Sequence, residues 1–358
     1  MKQKMRLTGL MIALCCLLCG CDLWMDGDYS SVKPHYQQVY QSNQDQTEVD
    51  SYLGLRDALV DMVEIGQNSG VVYVNGVDQQ LLDGYMVQAI RYLTEAHAIG
   101  SYAVQEVKYE IGTSSGRSAV SMEINYLHSR MELLQIMQVD RMLDAAPVIT
   151  AALDACEPGV VLKVTTYEET DIVQLVQDYV DNNPQICMEM PQVGVNIYPE
   201  RGLERVVELT FTYQTSRDTL RQMQETVQTV FNSAELYVKG SASDLQKYEL
   251  LYTFLMERND CVVQTSITPS YSLIHYGTGD SKAFANVYAA MCRQTGLDCQ
   301  TVSGTKDGRM WHWNVVKLDG DYYYIDLLQC LDSGGFALHP RSSMGRYVWD
   351  YSAYHSEK

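Results

Sequence analysis

Gly277-Thr-Gly-Asp-Ser-Lys-Ala-Phe-Ala-Asn-Val-Tyr-Ala-Ala-Met-Cys-Arg-Gln-Thr-Gly296, continued by Leu297-Asp-Cys-Gln-Thr-Val-Ser-Gly304, Trp311-His-Trp-Asn314 and Tyr322-Tyr-Tyr-Ile-Asp326, reads as loop, helix, strand and hairpin. Asp280 or Ser281 can cap the helix, Phe284, Tyr288 and Met291/Cys292 repeat at helical spacing, and Gly296 supplies the stop. Ser281 therefore falls at a helix N-terminus, where free backbone N–H groups and the helix dipole stabilise a nucleophile's anion or an oxyanion.

These residues resemble the transglutaminase-like core, a papain-like cysteine-protease architecture. Its pattern is Gly-x-Cys opening a helix, a Gly-Leu/Ile turn into a strand ending in Gly, a strand with His-x-Trp-Asn and a hairpin partner with Tyr-x-x-Asp. The likeness covers about the last third of the chain and implies a fold and a catalytic set of Ser281, His312 and Asp326. Two positions depart from the pattern. Ser281 stands where the family has its cysteine, and an alcohol is far less acidic than a thiol, so no thiolate–imidazolium pair forms. Laid without gaps, His-x-Trp-Asn puts Trp311, not His312, at the family's histidine position.

Hairpin geometry gives an independent reading. A two-residue turn at Asp319-Gly320 pairs Leu318 with Asp321, so that Trp313 opposes Asp326, Trp311 lies diagonally on the same face and His312 points through the other. A three-residue loop, Leu318-Asp319-Gly320, sets His312 opposite Asp326 instead. Both registers are open to the sequence; the ungapped resemblance and the Asp-Gly signal favour the first.

The chain begins Met-Lys-Gln-Lys-Met-Arg, continues with an apolar run from Leu7 to Leu18, and reaches Leu18-Cys19-Gly20-Cys21. This is the pattern of a bacterial lipoprotein signal peptide over 1–20, too short for a membrane-spanning helix, with Cys21 as the lipidated residue. Residues 21–46, rich in Ser, Gln, Asp and Tyr, read as a tether. The expectation is a protein held by lipid on the extracytoplasmic face of a cell membrane. The formal charge is −19, and removal of 1–20 takes away three basic groups and no acid, giving −22. Nucleic acid and anionic lipid surfaces are poor partners for such a field, and no nucleic-acid partner is expected.

Apolar spacing predicts a helix over 47–66. Beyond it an internal repeat is expected, 67–152 and 153–239, ahead of a C-terminal domain 240–358. Gly70-Val-Val-Tyr matches Gly159-Val-Val-Leu at an offset of 89, and Ile124-Asn-Tyr-Leu-His-Ser-Arg130 matches Phe211-Thr-Tyr-Gln-Thr-Ser-Arg217 at 87. Each copy reads as β-α-β-β-α, with Arg130–Leu143 the last helix of the first and Ile186–Ile197 a strand of the second. The fold class is α+β: a duplicated region, then a papain-like core. Tyr126/Tyr213 and Ser129/Ser216 recur at a strand-to-helix junction, where a packing tyrosine and a Ser cap outweigh a ligand role. Ser243–Leu255 predicts an amphipathic lead-in helix.

Six cysteines remain, at 156, 187, 261, 292, 299 and 330, with neither a disulfide framework nor zinc spacing. Cys292 and Cys299 flank the helix end and can approach each other; buried free thiols fit equally. Cys292 lies roughly 16 Å from Ser281 along a helix, too far to replace it. His275, His339 and His355 lack metal-ligand spacing, and neither cofactor nor metal is expected. Three readings follow: a non-catalytic binding or scaffold lipoprotein taking a peptide or cell-wall ligand; a Ser281-dependent hydrolase or acyltransferase acting on peptide or amide bonds; and a structural envelope protein whose cleft is closed by Trp311 and Trp313.

Overall fold

The computed structural model describes residues 33–34, 47–114, 116–257 and 262–354. The signal peptide, Cys21 and most of the expected tether lie outside the described residues. So do Cys261 and His355.

The first unit runs β2 (Thr47–Val49), α1 (Tyr52–Glu64), β3 (Ser69–Val74), α2 (Gln79–Glu95), α3 (Ala98–Ala103), β4 (Val104–Ser114), β5 (Arg117–Tyr126) and α4 (Arg130–Leu134), after β1 (Lys33–Pro34). The second runs β6 (Met137–Val139), α5 (Ala146–Asp154), β7 (Gly159–Val164), α6 (Ile172–Asn182), β8 (Gln192–Tyr198), β9 (Arg205–Thr212) and α7 (Arg217–Val238). Their sheets have the orders β2-β3-β5-β4 and β1-β6-β7-β9-β8. In each, the first strand of the unit runs parallel to the second and the remaining neighbours are antiparallel.

The two units also share register. Thr47 pairs with Val72 as Met137 pairs with Leu162, both 90 positions on. Val72 pairs with Val120 as Leu162 pairs with Val207, offsets of 90 (162 − 72) and 87 (207 − 120). Ser69 pairs with Glu123 as Gly159 pairs with Thr210, so the counterpart of Gly159 is Ser69 rather than Gly70, one residue from the sequence alignment. Ser129 and Ser216 each cap a helix, accepting from Glu132 N and Thr219 N. Tyr126 ends β5, Tyr213 comes one residue after β9, and both pack against apolar cores.

Three elements differ from the sequence reading. The expected helix over 47–66 begins as a strand, and Ser51 caps the helix only from Tyr52. The expected helix Arg130–Leu143 stops at Leu134, because Met137–Val139 pairs beside β7 and tertiary pairing outweighs helix propensity. The expected strand Ile186–Ile197 begins only at Gln192. Pro184 and Pro191 bracket the irregular stretch between, and proline neither donates to a ladder nor leaves its predecessor free.

Helices cover one face of the first sheet: Leu55 and Leu59 of α1 and Leu82, Met86 and Leu93 of α2 lie with Val72, Val120 and Met122 in one fully buried cluster. Each such side chain contributes roughly 1.5–3 kcal/mol. A recessed ion-pair group joins the two units. Lys163, 6% exposed, sits 3.0 Å from Glu64 and 3.2 Å from Glu204.

The C-terminal part continues α8 (Asp244–Met256), β10 (Val262–Val263), α9 (Pro269–Tyr276), β11 (Thr278–Gly279), α10 (Ser281–Gln294), β12 (Cys299–Lys306), β13 (Arg309–Leu318), β14 (Asp321–Ile325), α11 (Leu327–Ser333) and β15 (Tyr347–Val348). Its sheet has the order β14-β13-β12-β15. Helix α10 is the central helix: Phe284, Val287, Tyr288, Met291 and Cys292 are buried in a core shared with α8 and α11. The same core takes in Leu220, Val227 and Phe231 of α7, so that helix, expected within the second repeat, packs against the C-terminal domain as well. Among the described residues no helix is long and apolar enough to cross a membrane.

Candidate functional site

Asp280 is the N-cap of α10, its Oδ1 accepting from Ala283 N at 2.9 Å, and Ser281 is the first helical residue. Both hairpins of the sheet turn on Asp-Gly. Asp319 and Gly320 have φ of +54° and +93°, Asp307 and Gly308 of +51° and +76°, the doubly positive backbone of a two-residue turn matched to strand twist. Leu318 pairs with Asp321 and Asn314 with Ile325, which is the two-residue register. The second Asp-Gly, between Lys306 and Arg309, was legible in the sequence and was not read there as a turn.

Alternation along β13 then separates the expected catalytic residues. Asn314 faces α10, its Nδ2 donating to Ala285 O at 2.8 Å, and His312, two residues back, shares that face. His312 Nδ1 lies 3.5 Å from Ser281 Oγ, and His312 N donates to the same oxygen at 3.3 Å. Burial lowers the His312 pKa, Lys282 lowers it further, and Asp280 and Asp181 oppose the shift, so the ring is neutral at neutral pH. The sequence reading expected an indole beside Ser281. The structure sets the His312 imidazole 3.5 Å from its hydroxyl, because Ser281 rests against the same side of the strand as His312.

Trp311 has the opposite parity and reaches Asp326. Its Nε1 donates to Asp326 Oδ2 at 2.9 Å. Lys306 Nζ and Tyr347 OH donate to the same oxygen at 2.7 and 2.8 Å, and Gln329 N donates to Oδ1 at 3.2 Å. The Lys306 ammonium also lies over the Trp311 and Tyr347 rings, at 5.1 and 5.3 Å. Burial and the bond to Asp326 push the Tyr347 phenol far up, so it stays a neutral donor. Asp326 is 5% exposed and ends the hairpin pairing by capping α11, a helix the sequence reading missed. Tyr347 carried no local signal, since β15 brings it to Lys306 from the far end of the sheet.

Ser281 and His312 thus come together, while Asp326 is held with Trp311. Among the described residues no carboxylate is hydrogen-bonded to His312. Burial raises the Cys292 thiol far above its usual range and Cys299 contacts it, but neither is near the helix start. The described residues contain no group of three or more His, Cys, Asp or Glu that could hold a metal ion.

Residues 232–327 match the family model of the transglutaminase-like superfamily. No curated protein matches the chain. Among solved structures the chain is similar to a crystal structure of a TGase at 10% identity and TM-score 0.28, covering 51% of this chain and 54% of that one. It is also similar to a candidate protease from Parabacteroides distasonis ATCC 8503 at 9% identity and TM-score 0.22, covering 62% and 36%. The chain therefore spans about half the length of the solved TGase and about a third of the other. At these scores neither likeness bears on the site. The capped helix, the strand with Trp-x-Trp-Asn and the Asp-ended hairpin partner all fall inside the matched segment, and residues 232–327 are a transglutaminase-like domain.

Proposed function

We propose that this domain is catalytically silent and that the protein serves as a binding or scaffolding lipoprotein at the cell envelope. The observation that carries the reading is the company of Asp326. In a nucleophile–base–carboxylate relay the carboxylate holds the base in its working tautomer. Asp326 instead accepts from an indole, an ammonium, a phenol and a backbone N–H. An indole N–H only donates, so Trp311 cannot take a proton. Ser281 is left with an imidazole at 3.5 Å, beyond the roughly 2.6–3.2 Å of a working base, and among the described residues no carboxylate is hydrogen-bonded to that ring. The direct assay is ammonia release from glutaminyl peptides, together with hydrolysis of amide and peptide substrates, for wild type and Ser281→Ala. No Ser281-dependent turnover is expected.

The closeness of Ser281 and His312 favours one alternative, a hydrolase or acyltransferase working from that pair alone. Turnover abolished by both Ser281→Ala and His312→Ala would establish it and end the silent-domain reading.

The anchoring part rests on the sequence: a basic start, a short apolar run and Gly20-Cys21. Cys21→Ala should release the protein from the membrane fraction or leave an unprocessed precursor. Unchanged processing and attachment would refute lipidation there. We also read the matching element order and register of the two α+β units as an internal duplication that carries and presents the C-terminal domain.

A further inference from the structure

The second α+β unit docks against the start of α10. Lys282 Nζ lies 2.8 Å from Asp181 Oδ2, Asn286 Nδ2 donates to Asp181 Oδ1 at 3.3 Å, and Arg293 Nη2 donates to Asn182 O at 2.6 Å. Between the two parts runs a groove of about 280 Å³. That is room for one or two side chains, smaller than a typical drug-sized site. Its apolar wall is formed by Val180, Pro184, Met188, Met190 and Ile267, and methionine adapts to differing occupants.

The groove's charge is unbalanced. Asp181, Glu189 and Asp280 line it against a single ammonium, Lys282, which already pairs with Asp181. Glu189 is 4% exposed, and its two oxygens accept from Gln214 N at 2.6 Å and Thr215 N at 3.1 Å. Among the described residues no Lys, Arg or His makes an ion pair with it. A recessed carboxylate held only by backbone amides keeps lone pairs and negative potential for a cation from outside. The net charge of the whole chain draws the same class of partner.

We propose that this groove seats a basic side chain of a peptide partner, its aliphatic stem against Met188 and Met190 and its ammonium or guanidinium toward Glu189 and Asp280. The proposal gives a ligand class to the binding role above and rests on that reading. Its test is separate, because labelling or turnover at Ser281 would overturn catalytic silence without touching the groove.

The probe is a decapeptide of alternating Ala and Lys carrying a neutral dye, read by fluorescence anisotropy against the full-length protein in detergent. Companion peptides replace Lys by norleucine or Glu. Saturable binding is expected for the Lys peptide, at least tenfold weaker for norleucine and absent for Glu. Gln214→Lys places a competing ammonium at the exposed rim beside Glu189 and should weaken binding at least tenfold. Thr113→Lys, the same change of charge on exposed β4 of the first unit, should shift it less than twofold. Absence of saturable binding, or equal weakening by Gln214→Lys and Thr113→Lys, would overturn the proposal, the second result reducing the attraction to the general field of the protein.

Discussion

If Asp326 is structural, removing it should cost stability rather than activity. The carboxylate is 5% exposed, and the side chains of Lys306 and Asp326 are 13% and 6% exposed, so water screens the pair little. Asp326→Ala leaves the Lys306 ammonium without its partner at 2.7 Å, the Trp311 and Tyr347 donors without their acceptor, and Gln329 N at the start of α11 uncapped. Stripping one member from a buried ion pair costs about 3–5 kcal/mol, and a lost cap is about 1 kcal/mol of similar origin. Asp326→Ala should therefore destabilise by about 3–5 kcal/mol in urea unfolding. Much of that penalty is the stranded ammonium, so Asp326→Asn combined with Lys306→Met should cost less than the two single changes added, by about 1–3 kcal/mol. A loss below about 1 kcal/mol for Asp326→Ala, or strict additivity in the double variant, would refute this account of the cluster.

Two further outcomes follow from single residues. A Cβ on Gly304 would meet Val348 O at 2.4 Å and the Trp313 ring at 2.7 Å, so Gly304→Ala should cost about 1–3 kcal/mol by urea unfolding and separate β15 from β12. The folded-state pKa of His312 lies below its ordinary value of 6.5, so the unfolded chain binds the proton more readily. Its contribution is complete above pH 6.5 and is lost as pH falls from there through the lowered folded value. His312→Gln should flatten that part of the stability profile, and an unchanged slope would contradict a buried neutral imidazole.

The C-terminal domain was legible because its signals are local. An Asp cap, a helical apolar stripe and Asp319-Gly320 each fix geometry within a few residues, and the turn alone set the register that separates His312 from Asp326. What escaped was set by distant packing. Met137–Val139 became a strand by pairing beside β7, and Tyr347 reached Asp326 through β15. The position of His312 was half legible: parity put it away from Asp326, but only the packing of α10 on β13 set it beside Ser281. The expected repeat rested on two landmarks, and by strand pairing Gly159 stands level with Ser69, one residue from the first of them.

Catalytic silence is tested most directly at the Ser281 hydroxyl. Purified protein exposed to a fluorophosphonate that labels activated serines, then digested and read by mass spectrometry, should yield an unmodified Ser281 peptide, indistinguishable from a heat-denatured control. Stoichiometric labelling of Ser281 that disappears in His312→Ala would contradict the account and make the pair at 3.5 Å a working nucleophile and base.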